Sequence, residues 1–347
     1  DLCVGCKGCS KDCPSEVDMA KMKAELTHEY HQREGASLRD RLFANVSLVS
    51  KVGSALAPLS NWAGKLPGAG RLQEALMGVA AERDLPQFHR ETFVDWFDAR
   101  GGAGVSRADA ERAVLLFPDT YTNHNHPDAA KAAVELLEAA GVHVRVPRDV
   151  VGSGRPPLSK GFLDLARERA AHNVDALAPD VDAGWDVVVV EPSDAVMFQS
   201  DYLDLLDGED VETVAANTYG VLEYVDAFEI DGDLTFDAPG EHLVYHGHCH
   251  QKSTKKDHHA VGVLRRAGYD VDPLDSTCCG MAGSFGYEAE HYSMSKAIAR
   301  ILYGQVDESP GETVVAPGAS CRSQLGDRPG ADDHPPHPIE KVAAALA

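Results

Sequence analysis

The apolar positions of the first hundred residues recur at helical spacing. Val17, Met19, Ala20, Met22, Ala24 and Leu26 alternate with charged residues, which predicts a helix from Ser15 to Glu34 with Ser15 as its cap. From Leu38 to Gly64, residues Leu42, Phe43, Val46, Val49, Leu56 and Leu59 mark further helical surface, broken by Pro58. Packing against the rest of the molecule is the simpler use of that surface; a membrane-surface or partner-docking helix is the sharper one. Gly64, Pro67, Gly68 and Gly70, then the run Gly101-Gly102-Ala103-Gly104, punctuate the next stretch, so a domain boundary is expected between 101 and 112.

Past that boundary the chain matches itself. Leu115 to Asn123 (LLFPDTYTN) resembles Leu243 to Gln251 (LVYHGHCHQ), each a buried strand running into a polar loop. Ala133 to Gly141 matches Ala260 to Gly268, a helix closed by glycine, and short strands follow at Val142 to Val146 and Tyr269 to Val271. Gly152-Ser153-Gly154-Arg155 aligns with Cys278-Cys279-Gly280-Met281, and Val187 to Asp194 with Val314 to Cys321. Strand, helix, strand, glycine turn, helix, strand is the rhythm of a parallel α/β unit. The expected fold class is therefore α/β, with a helical N-terminal domain over 1–105 and two tandem α/β units over 106–238 and 239–347.

Charge narrows the partners. Acidic residues number 55 against 32 basic ones in 347, a formal charge of -23, and no basic block stands out, which argues against binding nucleic acid. Asp exceeds Glu and Arg exceeds Lys, as in proteins of high-salt cytoplasm, so a halophilic source is expected. No apolar run approaches the roughly 20 residues that span a bilayer, and no secretory signal is present. The chain opens on Asp1 with its first motif cysteine already at Cys3, which suggests a piece of something longer.

The eight cysteines fall into two sets. Cys3-x2-Cys6-x2-Cys9-x3-Cys13-Pro14 is the bacterial-ferredoxin run, whose short loops wrap thiolates around a 4Fe-4S cluster, with Gly5 and Gly8 allowing close backbone approach. A zinc knuckle is the alternative, although zinc sites usually pair two Cys-x2-Cys hairpins. In two-cluster ferredoxins the fourth cysteine serves the other cluster; here either Cys13 joins Cys3, Cys6 and Cys9, or a partner motif lies upstream. Cys249, Cys278, Cys279 and Cys321 are all expected in loops just after strands, where ligands of parallel sheets gather, so four thiolates can meet on one rim. The matching positions of the first unit, Tyr121, Gly152, Ser153 and Asp194, offer no good soft ligand. Adjacent Cys278 and Cys279 chelate one tetrahedral zinc awkwardly and suit a multi-iron cluster better; zinc stays open. His246, His248 and His250 flank Cys249 as possible ligands, supporting donors or proton carriers, against the plain reading of solvated loop histidines. Lys252, Lys255 and Lys256 form a local basic knot, an anion attractor or simply a solvated helix start.

Together these residues resemble the cysteine-rich CCG-domain family of heterodisulfide reductase B-type subunits, glycolate oxidase iron–sulfur subunits and the C subunit of anaerobic glycerol-3-phosphate dehydrogenase. More narrowly, Cys3 to Lys23, Leu38 to Phe43, Gly154 to Gly161, Glu191-Pro192-Ser193, Gly247 to Lys252 (GHCHQK), Cys278 to Glu288 (CCGMAGSFGYE) and Ser320-Cys321-Arg322 resemble the iron–sulfur half of fused FAD-linked oxidases of the D-lactate or D-2-hydroxyglutarate dehydrogenase type. The resemblance implies a ferredoxin-type cluster domain followed by two CCG repeats, and an FAD-binding oxidase domain before this segment or in a partner subunit. It implies that a 2-hydroxy acid gives its hydride to FAD and that electrons leave through the clusters to a quinone or other carrier. Cytoplasmic location, with peripheral contact at the inner membrane face, follows from the same likeness. The first repeat departs from the family's Cys-Cys-Gly and Glu-Pro-Ser-Cys, and Gln324 stands where the last cysteine of the second repeat would fall, so the five-cysteine noncubane cluster is incomplete and a four-cysteine cluster or zinc is expected. A heterodisulfide-type reductase, a glycerol-3-phosphate dehydrogenase-like component and a non-catalytic relay with structural zinc are the alternatives.

Overall fold

The computed structural model describes residues 2–15, 17–331 and 333–347. Seven helices lead: α1 (Gly8–Asp12), α2 (Met19–Glu34), α3 (Leu38–Ala44), α4 (Val46–Ala55), α5 (Leu59–Gly64), α6 (Ala69–Met77) and α7 (Phe93–Ala99). The long second helix starts later than its apolar pattern suggested. Asp18 caps it, its carboxylate accepting from the Ala20 and Lys21 amides at 2.8 and 3.2 Å, while Glu16 of the expected first turn lies outside the described residues. Ser37 and Thr92 cap α3 and α7 in the same way.

The next segment builds a four-stranded parallel sheet. Its elements are β1 (Ala113–Phe117), α8 (Thr120–His124), α9 (Pro127–Ala139), β2 (His143–Arg145), α10 (Arg155–Ser159), α11 (Leu163–Asp182), β3 (Asp186–Val189), α12 (Pro192–Val196), a π-helical turn Met197–Asp201, α13 (Tyr202–Leu205), α14 (Glu209–Ala216), β4 (Thr218–Gly220) and α15 (Val221–Ala227). The strand order is β2-β1-β3-β4. The last part holds β5 (His242–Tyr245), α16 (Cys249–Ser253), α17 (His258–Arg266), β6 (Asp270–Pro273), α18 (Tyr292–Glu308), β7 (Thr313–Val315), α19 (Ala319–Gly326) and α20 (Pro338–Ala344), with parallel order β6-β5-β7. The common β2-β1-β3 and β6-β5-β7 orders match the self-similarity of the sequence. β4 is an addition without a counterpart in that repeat, and Thr218–Gly220 is too short to stand out as an apolar run.

Side-chain alternation explains the layering. Val114, Leu116 and Val188 point into a core shared with Leu243, Tyr245 and Val315 of the second sheet, so one apolar layer joins the two units. Leu115, Phe117, Val187 and Val189 point the other way, toward α11 and α14. The helical arm straps both units. Arg169 donates to Ala44 O at 3.3 Å and to Asn45 at 2.8 Å on the first unit's side. Buried Arg83 donates to Gly286 O, Ser295 Oγ and Gln324 Oε1 at 2.8 to 3.0 Å on the other. Lys160 bridges Asp40 and Glu288, both at 2.8 Å, and so touches all three parts.

Within the Leu38 to Gly64 segment, Leu42, Phe43 and Val46 are half-buried, whereas Leu48, Val52, Leu56, Leu59 and Trp62 are exposed. Among the described residues no helix is long and apolar enough to cross a membrane.

Candidate metal centres

The first cysteine set is folded by two left-handed residues, Gly5 at φ +75° and Lys7 at φ +58°. They turn the chain so that Cys3, Cys6, Cys9 and Cys13 are all half-buried on one short loop and helix. The Met19 amide donates to Cys9 Sγ at 3.3 Å, and Lys23 Nζ donates to Cys3 O at 2.7 Å. Lys7 is 5 % exposed, and its ammonium lies between Asp18 at 2.8 Å and Asp201 at 2.9 Å. Asp201 also pairs with Arg155. Burial would raise the Asp201 pKa, but the Arg155 and Lys7 cations hold it at about 2. A charged latch from this first cysteine loop to the first α/β unit results.

The second set converges as the strand-end argument required, with one correction. Only Cys278 and Cys279 lie in a loop; Cys249 opens α16 and Cys321 sits in the first turn of α19. Helix starts leave amides without intrahelical partners, which suits anionic sulfur. Cys278 hydrogen-bonds with Cys249 and Cys279, and these contacts together with burial raise its pKa. Cys279 contacts both Cys278 and Cys321, whose thiols favour its thiolate against burial. The Gly280 amide donates to Cys278 Sγ at 3.3 Å. Gly280 itself is at φ +91°, and a Cβ there would meet Ser295 O at 2.5 Å.

The two sets adjoin. Neutral His250, its pKa driven well down by burial and by Arg155, donates from Nε2 to Gly5 O at 3.0 Å. Cys6 is raised by burial, against the lowering effect of the Gly8 amide, with Cys249 first among the neighbouring thiols that push the same way. His248, also buried, is lowered to about 4. The basic knot disperses: Lys252 donates to Ser276 O at 2.6 Å and Leu274 O at 3.2 Å, Lys256 pairs with Glu223, and Lys255 stays exposed.

The corresponding rim of the first unit carries carboxyls. Asp119 accepts from Tyr121 and Thr122 amides at 3.0 and 2.9 Å, and Ser153 Oγ donates to Asp194 at 2.5 Å. Glu191 accepts from Ser193 Oγ and, across the unit boundary, from the Ala319 amide at 2.9 Å; burial and the Asp119 charge push it up to about 7. Of these groups Tyr121, Glu191 and Ser193 line, together with the distal cysteines, a cavity of about 1180 Å³ whose wall also includes Val46, Phe88 and Phe285. Neither the Lys7–Asp201–Arg155 latch nor the His250–Gly5 contact is announced by the sequence. Both join residues more than 40 positions apart and leave no local pattern.

The donors suit thiolate-bound metal. Among the described residues Cys279, Cys321 and His246 bring ligand atoms within 4.8 Å of one another, with Cys278 and Cys249 next in the chain of thiol contacts. Soft sulfur in this number matches iron–sulfur or zinc chemistry.

Comparison with known proteins agrees with this chemistry. Residues 243–326 match the model of the CCG family, described as a cysteine-rich domain. The chain is 27% identical over 344 residues to the C subunit of the anaerobic glycerol-3-phosphate dehydrogenase of Escherichia coli K12, covering 96% of this chain and 83% of that one. It is 25% identical to the D-2-hydroxyglutarate dehydrogenase of the same organism, over 93% of this chain but 32% of that longer protein. Lactate utilization protein A of an Exiguobacterium species is 27% identical over 233 residues, 64% of this chain and 92% of its own.

Proposed function

We propose that this chain, with its cysteine-rich segment at 243–326 and relatives that are dehydrogenase components, is the iron–sulfur electron-transfer part of an FAD-linked dehydrogenase of a 2-hydroxy acid of the D-lactate type. Cys3, Cys6, Cys9 and Cys13 hold a 4Fe-4S cluster, and Cys249, Cys278, Cys279 and Cys321 hold a second centre, iron–sulfur in preference to zinc. The division is a ferredoxin-type helical domain at 1–105, a CCG-like repeat without ligands at 106–238 and a metal-bearing CCG repeat at 239–347. Flavin belongs to an oxidase domain or subunit that partners this chain.

The observation that carries the reading is the contact between the two cysteine sets, His250 Nε2 to Gly5 O at 3.0 Å. Bound clusters would supply one-electron steps between flavin and acceptor. The chain's own residues fix the geometry of that path. Lys7, Asp201 and Arg155 clamp the cluster loop, and the Met19 and Gly280 amides offer hydrogen bonds to Cys9 and Cys278 sulfur, which tune such centres. The large cavity beside the distal cysteines gives an acceptor, a quinone or other carrier, access to that centre. Exposed Leu48, Val52, Leu56, Leu59 and Trp62 support a cytoplasmic protein that touches the inner membrane face. The strongly acidic composition supports a high-salt cytoplasm.

A second reading, an electron-accepting component of a glycerol-3-phosphate dehydrogenase, is favoured by the match to the C subunit of that enzyme over 96% of this chain and 83% of that one. Iron, sulfide and zinc analysis with EPR before and after dithionite, on anaerobically purified protein, tests the shared core of both. About eight irons support two clusters, whereas about four irons with one zinc make the distal site structural and remove it from the electron path. Turnover of D-lactate-type acids against glycerol-3-phosphate by the complex with its flavin partner then separates the two substrates.

A further inference from the structure

His246 lies at the end of β5, its amide bonded to Val315 O of β7 at 3.0 Å, so its backbone is pinned between two strands. Its side chain is fully buried. Nδ1 is engaged by Ser276 Oγ at 2.6 Å, and Lys252 Nζ reaches the same hydroxyl at 3.3 Å while bonding Ser276 O at 2.6 Å. Nε2 is buried without a well-formed hydrogen bond, and the ring interacts with Cys279, whose thiolate it favours. Leaving a buried ring nitrogen unpaired costs free energy. Its place beside the thiols of Cys279 and Cys321, all three within 4.8 Å of one another, supplies the reason.

We infer that His246 is a direct nitrogen ligand of the distal centre, binding metal through Nε2 at the Cys279–Cys321 end. The inference rests on the reading that the distal cysteines hold metal, and it changes the donor set from four thiolates to four thiolates and one imidazole. Five donors exceed the four of a tetrahedral ion, so the site takes more than one metal. Ser276 acts as the positioning residue. Metal-bound imidazoles characteristically donate their other N–H to a fixed acceptor, and the Ser276 hydroxyl accepts from Nδ1 here, held in turn by Lys252. A neutral imidazole in the fifth position adds no negative charge where a fifth thiolate would, and a cluster with fewer anionic ligands has the higher reduction potential.

The test is pulsed EPR of the dithionite-reduced chain, grown with natural and with nitrogen-15 histidine, alongside metal analysis and X-ray absorption at the edge of whichever metal is found. The expected result is a nitrogen coupling of directly bound strength that changes with the histidine isotope and an imidazole scattering signature. Both should be lost in His246→Cys and kept in His248→Asn. His246→Cys should retain the distal metal through an added thiolate and show a lower midpoint potential. Full distal metal in the wild type with only the weak coupling of a hydrogen-bonded nitrogen overturns the inference and leaves the metal centre standing. So does an unchanged nitrogen signal in His246→Cys. A wild-type chain with no distal metal overturns the underlying reading instead.

Discussion

Asp201→Asn is the most incisive perturbation of the link between the cluster loop and the α/β body. Asp201 is 2 % exposed and balances two cations that are themselves buried, Lys7 and Arg155. The depression of its pKa from the ordinary 3.8 to about 2, at about 1.4 kcal/mol per tenfold change in proton affinity, is worth roughly 2 to 3 kcal/mol of folding stability at neutral pH. The substitution costs more than that, because Lys7 keeps Asp18 but Arg155 is left as a buried charge without its carboxylate. Breaking such a pair by removing one partner costs about 3 to 5 kcal/mol. The assay is urea unfolding of wild type and Asp201→Asn under argon, repeated from pH 7 downward. The folded protein binds the Asp201 proton less readily than the unfolded chain, so the contribution is whole above about pH 4 and fades as pH falls toward 2. The stability gap should therefore be flat from pH 7 to 4 and narrow only below. A gap under about 1 kcal/mol at pH 7, the size of an exposed pair, refutes the latch. A gap already closing between pH 7 and 5 refutes the assignment to Asp201.

Other substitutions probe the remaining supports. Gly280→Ala forces a Cβ onto Ser295 O at a left-handed backbone position; it should lose roughly 2 to 5 kcal/mol in thermal unfolding and shed the distal metal while the iron of the first set stays, read by metal analysis. His250→Leu removes the bond to Gly5 O and should cost about 1 kcal/mol in urea unfolding with all iron retained, and electron passage from the first centre to the second, followed by rapid-freeze EPR, should slow. Raising KCl from low to molar concentration should raise the melting temperature, since a surface of net charge -23 repels itself most when unscreened; a flat or falling melting curve would count against the acidic-surface reading.

The parts of this molecule that follow from local repetition were legible in the sequence. Short continuous apolar runs recurring in the internal repeat marked β1, β3, β5 and β7, and the glycines at 141 and 268, both at positive φ, marked the ends of α9 and α17. The distal cysteines could be assembled because strand ends of a parallel sheet share a rim, and four of them fell at such ends. What stayed hidden was set by distance along the chain. Ser15 was the expected cap of the long helix; Asp18 caps it instead, and its carboxylate also pairs with distant Lys7. His246, His248 and His250 looked alike in sequence, yet the fold gives them three fates: one faces the thiols, one caps α16, and one bonds the cluster loop. The basic knot dissolved because Lys252 is used to tie the loop that leads to Cys278 and Cys279 to α16.

The asymmetry between the two α/β units also has a physical account. A rim without thiolates must still satisfy every polar group it buries, or lose stability at each. The first unit does so with short hydrogen bonds: Asp119 to the start of α8, Asp194 to Ser153, and Glu191 to Ser193. Burial raises all three acids, and mutual repulsion adds to it at Glu191 and Asp194, which favours the protonated forms that can share hydrogen bonds without a counter-ion. Yet this rim is not idle. Its Glu191 receives the Ala319 amide two residues before Cys321, and its Asp201, itself paired with Arg155, receives Lys7 one residue after Cys6. The unit that lacks thiolates therefore supports both cysteine sets, 236 positions apart between Cys13 and Cys249, where α1 and α16 pack against each other.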